Sequence, residues 1–218
     1  QEALILAESG DTIFLKEGIY DLEHGLSLDV ADVTIKGSGM DKTILNFSNQ
    51  KTGAQGLIIT SDNVVLKDFA VENAKGDAIK SKGVENISFL RIRTEWTNGP
   101  DSKNGAYGLY PVESIGVLID ECVAIGASDA GVYVGQSEQI IVRNTRAEFN
   151  VAGIEIENSY DADVYNNIAT NNTGGILIFD LPNLPKQGGK NVRVFQNKSF
   201  KNNTENFAPE GNIVGEVP

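Results

Sequence analysis

The chain has 218 residues, a net charge of −12, one histidine and one cysteine. This length fits a single domain, taken as residues 1–218, and the negative charge argues against nucleic acid as a partner. One cysteine excludes an internal disulfide, and no stretch approaches the roughly 18 to 20 apolar residues of a membrane span. The chain opens with Gln1, so we expect that a targeting segment was removed or never included.

The first residues suggest a cap. Leu4 and Ile5 lie in a short amphipathic stretch that ends at Gly10, and strands are predicted at Thr12–Lys16 and Val33–Lys36. We expect the opening stretch to be a helix that covers the first coil, because an open coil would expose unpaired backbone and apolar side chains.

The central part of the chain repeats itself. Gly131, Gly153 and Gly175 follow one another at 22-residue intervals and begin similar segments. Apolar residues alternate in each segment, which is the strand period with one face buried. The predicted strands contain Val132 and Val134, Ile154 and Ile156, Ile176 and Ile178, then Ile140 and Val142, Ala162 and Val164, Val192 and Val194, with weaker strands near Ala147 and Ala169.

Three short strands per turn predict a parallel β-helix, an all-β solenoid with about 22 residues per rung. A leucine-rich or helical repeat is disfavoured, because no repeat shows helical periodicity. Asn144 with Asn166, and Asn150 with Asn172, keep the same interval and predict asparagine ladders at turns. Cys122 lies in a strand-like run and is interpreted as a small core residue.

The outward residues should stack into columns along the axis. One column reads Lys80, Tyr110, Tyr133, Glu155, Leu177, and its neighbour reads Lys82, Val112, Gly135, Glu157, Phe179. The preceding turns contribute Asp77 and Asp129, and long loops at 96–106 and 180–191 flank the sheet. A sheet face between two loops predicts a groove.

Aromatic and charged residues fill this predicted groove. Trp96, Tyr107, Tyr110 and Tyr133 are candidate platforms for sugar rings, although packing beneath a loop remains open for Tyr110. The other candidate substrate-binding residues are Glu157, Lys80, Lys82 and Phe179, with Arg91 and Arg93 extending a cationic cluster. Glu155 and Glu157 could equally be a solvated face. Stacked carboxylates could hold Ca²⁺, but no dense calcium motif is present, so no metal site is assigned.

Long segments carry a family resemblance. "GDTIFLKEGIYDL" and "VTIKGSGMDKTIL" resemble the opening of pectate-lyase-like right-handed parallel β-helices. "NGAYGLYPVES", "ECVAIGASDAGVYVGQS" and "NVAGIEIENS" resemble bacterial parallel β-helix domain-containing proteins over nearly the whole chain. That resemblance implies a right-handed parallel β-helix and a secreted or periplasmic location, and it assigns no activity. It also implies further coils after residue 218.

A second resemblance is to alginate epimerases and lyases. Their Tyr-Gly-Phe-Asp-Pro-His segment corresponds to Tyr107–Val112, and Asp129 stands where they carry an aspartate before the next strand. Tyr110 and Val112 replace their Asp and His. The resemblance implies Tyr107, Asp129 and Glu155 as candidate catalytic residues, but valine cannot transfer a proton. The only histidine, His24, is predicted in the first rungs as a turn or surface residue.

Two hypotheses remain open. The chain is an exported protein that recognises an extracellular polysaccharide or oligosaccharide in the groove, as a lyase, epimerase or hydrolase; alternatively, it is a non-catalytic scaffold that binds glycans or a protein. Ile213 and Val214 resemble the start of another rung without a cap. We therefore expect self-association through the C-terminal coil, or coverage by coils of a longer solenoid.

Overall fold

The computed structural model describes residues 1–213, which form a parallel β-helix. In chain order its elements are α1 (Glu2–Ile5), β1 (Thr12–Phe14), β2 (Gly18–Asp21), β3 (His24–Leu28), β4 (Thr34–Lys36), β5 (Thr43–Asn46), β6 (Thr52–Ile59), β7 (Val64–Glu72), β8 (Ile79–Lys82), β9 (Glu85–Glu95), β10 (Leu109–Val112), β11 (Ile115–Asp120), β12 (Val123–Ile125), β13 (Ala130–Gly135), β14 (Glu138–Arg143), β15 (Arg146–Glu148), β16 (Ala152–Glu157), β17 (Tyr160–Tyr165), β18 (Ile168–Thr170), β19 (Gly174–Phe179), β20 (Lys190–Phe195) and β21 (Lys198–Phe200).

The strands line three faces of the solenoid. The front sheet contains seven parallel strands, in the spatial order β19-β16-β13-β10-β8-β6-β3. The second face runs from β1 through β4, β7, β9, β11, β14 and β17 to β20, and the third runs from β2 through β5, β7, β9, β12, β15 and β18 to β21. Because β7 and β9 contribute to both of these faces, the two join into one sheet of 14 strands.

The 22-residue period is the coil of the helix. Val132 pairs with Ile154, and Ile154 pairs with Ile176, so the apolar residues of successive coils form one column. Val132 and Ile154 are fully buried, whereas Ile176 in the last of the three coils is only partly buried. The predicted alternation, and with it the predicted fold, is confirmed. Cys122 is also in the core, as predicted, and burial raises the pKa of its thiol to about 12.

Residues with a left-handed backbone conformation form the corners between the faces. Asp68 in β7 and Arg91 in β9 have φ of 64° and 51°, and they bend these strands from the second face into the third. Asn144 and Asn166 occupy the equivalent position on later coils, with φ of 52° and 56°. Asparagine tolerates this conformation better than most residues do, which explains its recurrence at the predicted turns.

One asparagine ladder is confirmed, and the other lies one residue further on than predicted. Asn172 Oδ1 accepts from the Asn150 backbone N–H at 3.0 Å, and Asn202 Oδ1 accepts from that of Asn172 at 3.1 Å. At the other corner the ladder is made by Thr145, Asn167 and Asn197. The left-handed Asn144 and Asn166 direct their side chains outward, so the residues that follow them point inward and satisfy the buried backbone.

The two ends of the described chain differ. Leu4 of α1 is buried against the apolar end of the first coil, as predicted. At the other end the expected rung is wrong for Ile213, which lies in no strand, while Val214 falls outside the described residues. Residues 204–213 instead turn back along the front sheet, and the Thr204 N–H donates to the Asn172 carbonyl. Within residues 1–213 no helix has the length and hydropathy to cross a bilayer. Self-association stays a prediction.

Candidate functional site

The front sheet carries both predicted columns. Tyr110 pairs with Lys80, Tyr133 with Glu155, and Glu155 with Leu177. The neighbouring column links Lys82, Val112, Gly135, Glu157 and Phe179 through the same strands. Every residue of β13 and β16 is buried, so other segments cover the outer face of these two strands. Glu155 and Glu157 therefore do not form the solvated face that the sequence left open.

Three tyrosines form an aromatic cluster on this face. The ring centroids of Tyr107, Tyr110 and Tyr133 lie 4.4 to 4.9 Å apart, and the Tyr110 and Tyr133 rings meet edge to face. The Tyr133 hydroxyl donates to Glu157 Oε2 at 2.9 Å. Burial raises the pKa of Tyr107 and Tyr133 well above the usual value, and that of Tyr110 to about 12, so all three are neutral hydrogen-bond donors near pH 7.

Three carboxyl groups adjoin the tyrosines. Asp129 and Glu155 are each 2% exposed and Glu157 is 6% exposed. Burial, with the charges of Asp129 and Glu157, raises the pKa of Glu155 to about 8. Burial also raises the pKa of Asp129 and of Glu157, although the Tyr133 hydroxyl opposes the rise at Glu157. Glu155 is therefore largely protonated at neutral pH and can donate a proton.

Asp129 lacks the partners that a buried carboxylate normally has. The Tyr107 hydroxyl and the Asn212 amide lie near it and favour its charged form. Nevertheless, no donor in residues 1–213 makes a well-directed hydrogen bond to either carboxylate oxygen. Oε1 of Glu155 is also without a hydrogen-bond partner among the described residues. Asp129 and Glu155 line a cavity of about 260 Å³, although these three oxygens are themselves almost fully buried.

Segments from both sides of the sheet enclose this cavity. Leu181 of the 180–191 loop lines it, and Asn158 holds that loop through the Leu181 backbone N–H at 2.8 Å. On the other side the Asn212 amide donates to the Tyr107 hydroxyl at 3.0 Å, and Ile213 packs against the tyrosine cluster. The groove is thus present, and residues 204–213, the returning segment, narrow it.

The comparisons with known proteins address the fold. Residues 30–204 match the family model described as the right handed beta helix region. This chain belongs to the right-handed β-helix family. No curated protein sequence matches this β-helix chain.

Solved structures resemble the β-helix chain at low identity. A rhamnogalacturonan lyase shares 14% identity at a TM-score of 0.57, over 88% of this chain and 55% of that protein. Pectate lyase Pel9A shares 13% identity at a TM-score of 0.42, over 91% and 70%. The chain therefore spans about half the length of the rhamnogalacturonan lyase. At such identities the similarity concerns the fold alone.

The predicted cationic cluster does not form. Lys80 and Lys82 lie in the front sheet, whereas Arg91 and Arg93 lie in β9 on the other faces. Each is already engaged with acidic groups: Lys80 with Asp77 at 3.9 Å, Lys82 with Glu113 at 3.5 Å, Arg91 with Asp68, and Arg93 with Glu72. The Lys80 ammonium also lies 4.3 Å from the centroid of the Tyr110 ring. The sequence placed these cations together on the early coils but could not assign their partners.

Trp96 lies in the core of the β-helix chain and does not line the groove. It is 5% exposed, and its indole N–H donates to the Ala74 carbonyl at 2.8 Å. Ile92 and Thr94 already point inward in β9, so the same alternation directs Trp96 inward. This alternation of inward and outward residues could have predicted the buried position of Trp96 from the sequence. Trp96 is therefore not part of the candidate site.

Other polar groups do not make a comparable site. A larger depression of about 750 Å³ lies on the second face, but its Arg193 and Asp163 pair with each other and its Asn191 donates to Asp161. His24 begins β3, is exposed and contacts the Thr52 hydroxyl. Among residues 1–213 no three acidic, histidine or cysteine side chains are grouped as metal ligands. The sequence missed Asn212, which lies 105 residues from Tyr107 and outside the repeats.

Proposed function

We propose that this chain is an exported protein that binds a polysaccharide in the front-sheet groove and hydrolyses it by acid–base chemistry. The observation that carries the proposal is Glu155, a carboxyl group with its pKa raised to about 8 that faces a cavity beside Asp129 and Glu157. A protonated carboxylic acid next to charged carboxylates is the pattern that glycoside hydrolysis requires.

The residues divide into roles. Glu155 would protonate the oxygen of the leaving sugar. A water molecule would attack the anomeric carbon, and Glu157, whose Oε2 accepts from the Tyr133 hydroxyl, would accept the proton of that water. Glu155 and Glu157 are two residues apart on one strand, so their side chains leave the same face of the sheet. Both residues line the same cavity.

Hydrolysis fits these residues better than elimination. Elimination next to a uronate carboxylate needs a base and a cation that neutralises the carboxylate. The two lysines of the groove already pair with Asp77 and Glu113, and Val112 stands where a histidine would be required. The acidic side chains of the cavity that are ionised would also repel an anionic sugar.

A second function is favoured by the returning segment. Asn212 and Ile213 contact the tyrosine cluster, and the three rings pack on one another. A protein that only binds glycans, or serves as a scaffold, needs no open catalytic cavity. On this alternative the groove recognises a short stretch of sugar and Glu155 has no chemical role.

Product analysis separates the alternatives. The wild-type chain is incubated with neutral, acidic and amino-sugar oligosaccharides, and new reducing ends and unsaturated products are both measured. We expect reducing ends without unsaturation, and a fall of about 10²- to 10⁴-fold in Glu155→Gln because the general acid is lost. Glu8→Gln, which changes an exposed residue far from the groove, should retain wild-type activity.

Unsaturated products would contradict hydrolysis, and equal rates in Glu155→Gln and wild type would remove Glu155 from the mechanism. Binding that is measured by calorimetry without any product would instead support the binding protein.

A further inference from the structure

Asp129 is a buried carboxyl group that has no basic partner among residues 1–213. Only 2% of the residue is exposed. Neither of its oxygens accepts a well-directed hydrogen bond from residues 1–213, although the Tyr107 hydroxyl and the Asn212 amide lie near them. An isolated buried carboxylate is costly unless it is paired and hydrogen-bonded. The site is therefore incomplete with the described residues alone.

The lining of the cavity limits what can complete it. Besides Asp129, Glu155 and Glu157, the described lining consists of tyrosine, apolar residues and the Asn212 amide, with no lysine or arginine. The nearest front-sheet cation, Lys80, is held between Asp77 and the ring of Tyr110. A ligand must bring the positive charge and the donors itself.

The apolar and aromatic part of the lining indicates the rest of the ligand. Tyr107, Leu177 and Phe179 present carbon-rich surface beside Asp129, and aromatic groups pack well against flat amphipathic molecules. A bare cation would use the carboxylates and leave this surface unpartnered. A volume of about 260 Å³ lies just below the roughly 300 to 1,000 Å³ of sites for drug-sized ligands, which suits a single sugar unit.

We infer that the cavity is a subsite for an amino sugar with a free amine, whose ammonium group pairs with Asp129. The ammonium has three donors for the two Asp129 oxygens and for Glu155 Oε1, and it supplies the missing charge. Asn212 now occupies the neighbouring position with an amide that donates to the Tyr107 hydroxyl. The ligand displaces this amide, and the Tyr107 hydroxyl then faces the sugar.

This inference rests on the proposed function, because it names the substrate class of the same groove. Calorimetric titration in the presence of EDTA compares tetramers of β-1,4-linked glucosamine, N-acetylglucosamine, glucose and galacturonate. We expect glucosamine to bind roughly 10- to 100-fold more tightly than the two neutral tetramers, the gain typical of a charge-assisted hydrogen bond. Galacturonate should bind most weakly.

A substitution assigns the preference to one side chain. Asp129→Asn keeps the shape and should remove the advantage of glucosamine, while affinity for the neutral tetramers changes less than threefold. Asp29→Asn is the matched control, because Asp29 is exposed after β3, at the opposite end of the front sheet from the cavity, and its replacement should preserve the preference.

The outcomes distinguish this inference from the proposed function. Equal binding of glucosamine and glucose tetramers to the wild-type chain overturns the amino-sugar subsite and leaves polysaccharide binding intact. A preference that survives Asp129→Asn also overturns it, since the ammonium would then bind elsewhere. Failure of all four tetramers to bind overturns the amino-sugar subsite together with glycan binding in this groove.

Discussion

The protonation of Glu155 makes the stability of the fold depend on pH. In the folded chain its pKa is about 8, against 4.5 for a free glutamate. The unfolded chain releases this proton near pH 4.5, whereas the folded chain keeps it until about pH 8. The contribution of protonated Glu155 to the free energy of unfolding is therefore fully present below pH 4.5 and is lost as the pH rises through 8. At 1.36 kcal/mol per pH unit, the difference between the two pKa values corresponds to roughly 5 kcal/mol of unfolding free energy.

Glu155→Gln tests this linkage, because glutamine keeps the shape and cannot ionise. We expect the variant to lie within about 1 kcal/mol of the wild type at pH 5. At pH 9 it should be more stable by a few kcal/mol, since the cost of the buried charge is gone. Urea unfolding at pH 5, 7 and 9 measures the free energies. Some pH dependence should remain, because the pKa of Asp129 and of Glu157 is raised as well.

Glu8→Gln is the control, because Glu8 is exposed outside the groove and its replacement should leave the pH profile unchanged. Parallel loss of stability in the wild type and in Glu155→Gln between pH 5 and 9 would refute the reasoning. Glu155 would then be solvated and already charged at neutral pH, and it could not serve as the proton donor.

Three further substitutions test other parts of the structure. Tyr133→Phe removes the hydroxyl that donates to Glu157, so urea unfolding should show a loss of about 1 to 3 kcal/mol and carboxyl NMR should show a higher pKa for Glu157. Trp96→Phe leaves the Ala74 carbonyl without its donor, so we expect a similar loss of stability but unchanged oligosaccharide affinity by calorimetry. Unchanged stability would contradict its place in the core. Asn172→Ala breaks the asparagine ladder of Asn150, Asn172 and Asn202, so the free energy of unfolding should fall by more than about 2 kcal/mol. A melting temperature equal to that of the wild type would show that the ladder contributes little.

The fold could be predicted because its repeat is local and regular. Alternation in segments such as Gly153–Glu157 determines which side chains face the core, and the interval of 22 residues determines which of them stack. The same alternation predicts that Trp96 faces the core, because it lies two residues beyond the inward-facing Thr94. Candidate residues on the front sheet, including Tyr133 and Glu155, followed from the columns.

The environment of the site could not be predicted, because it depends on segments outside the repeat. The alternation in β16 directs Glu155 outward, yet this residue is only 2% exposed because neighbouring segments cover β16. The path of residues 204–213 across the sheet follows no period, so Asn212 gave no signal. The partners of Lys80 and Lys82 are likewise set by turns and corners, where spacing carries little information.

The front sheet has a direction. Its strands are all parallel and the column from Lys80 to Leu177 changes from cationic to aromatic, then acidic, then apolar along the axis. Four coil steps of about 4.8 Å separate its two ends by roughly 19 Å. The two ends of the column therefore differ in chemistry, and a polymer that lay along the groove would meet different side chains at each end. A chain molecule bound there would be held in one orientation, and its two termini would be distinguished.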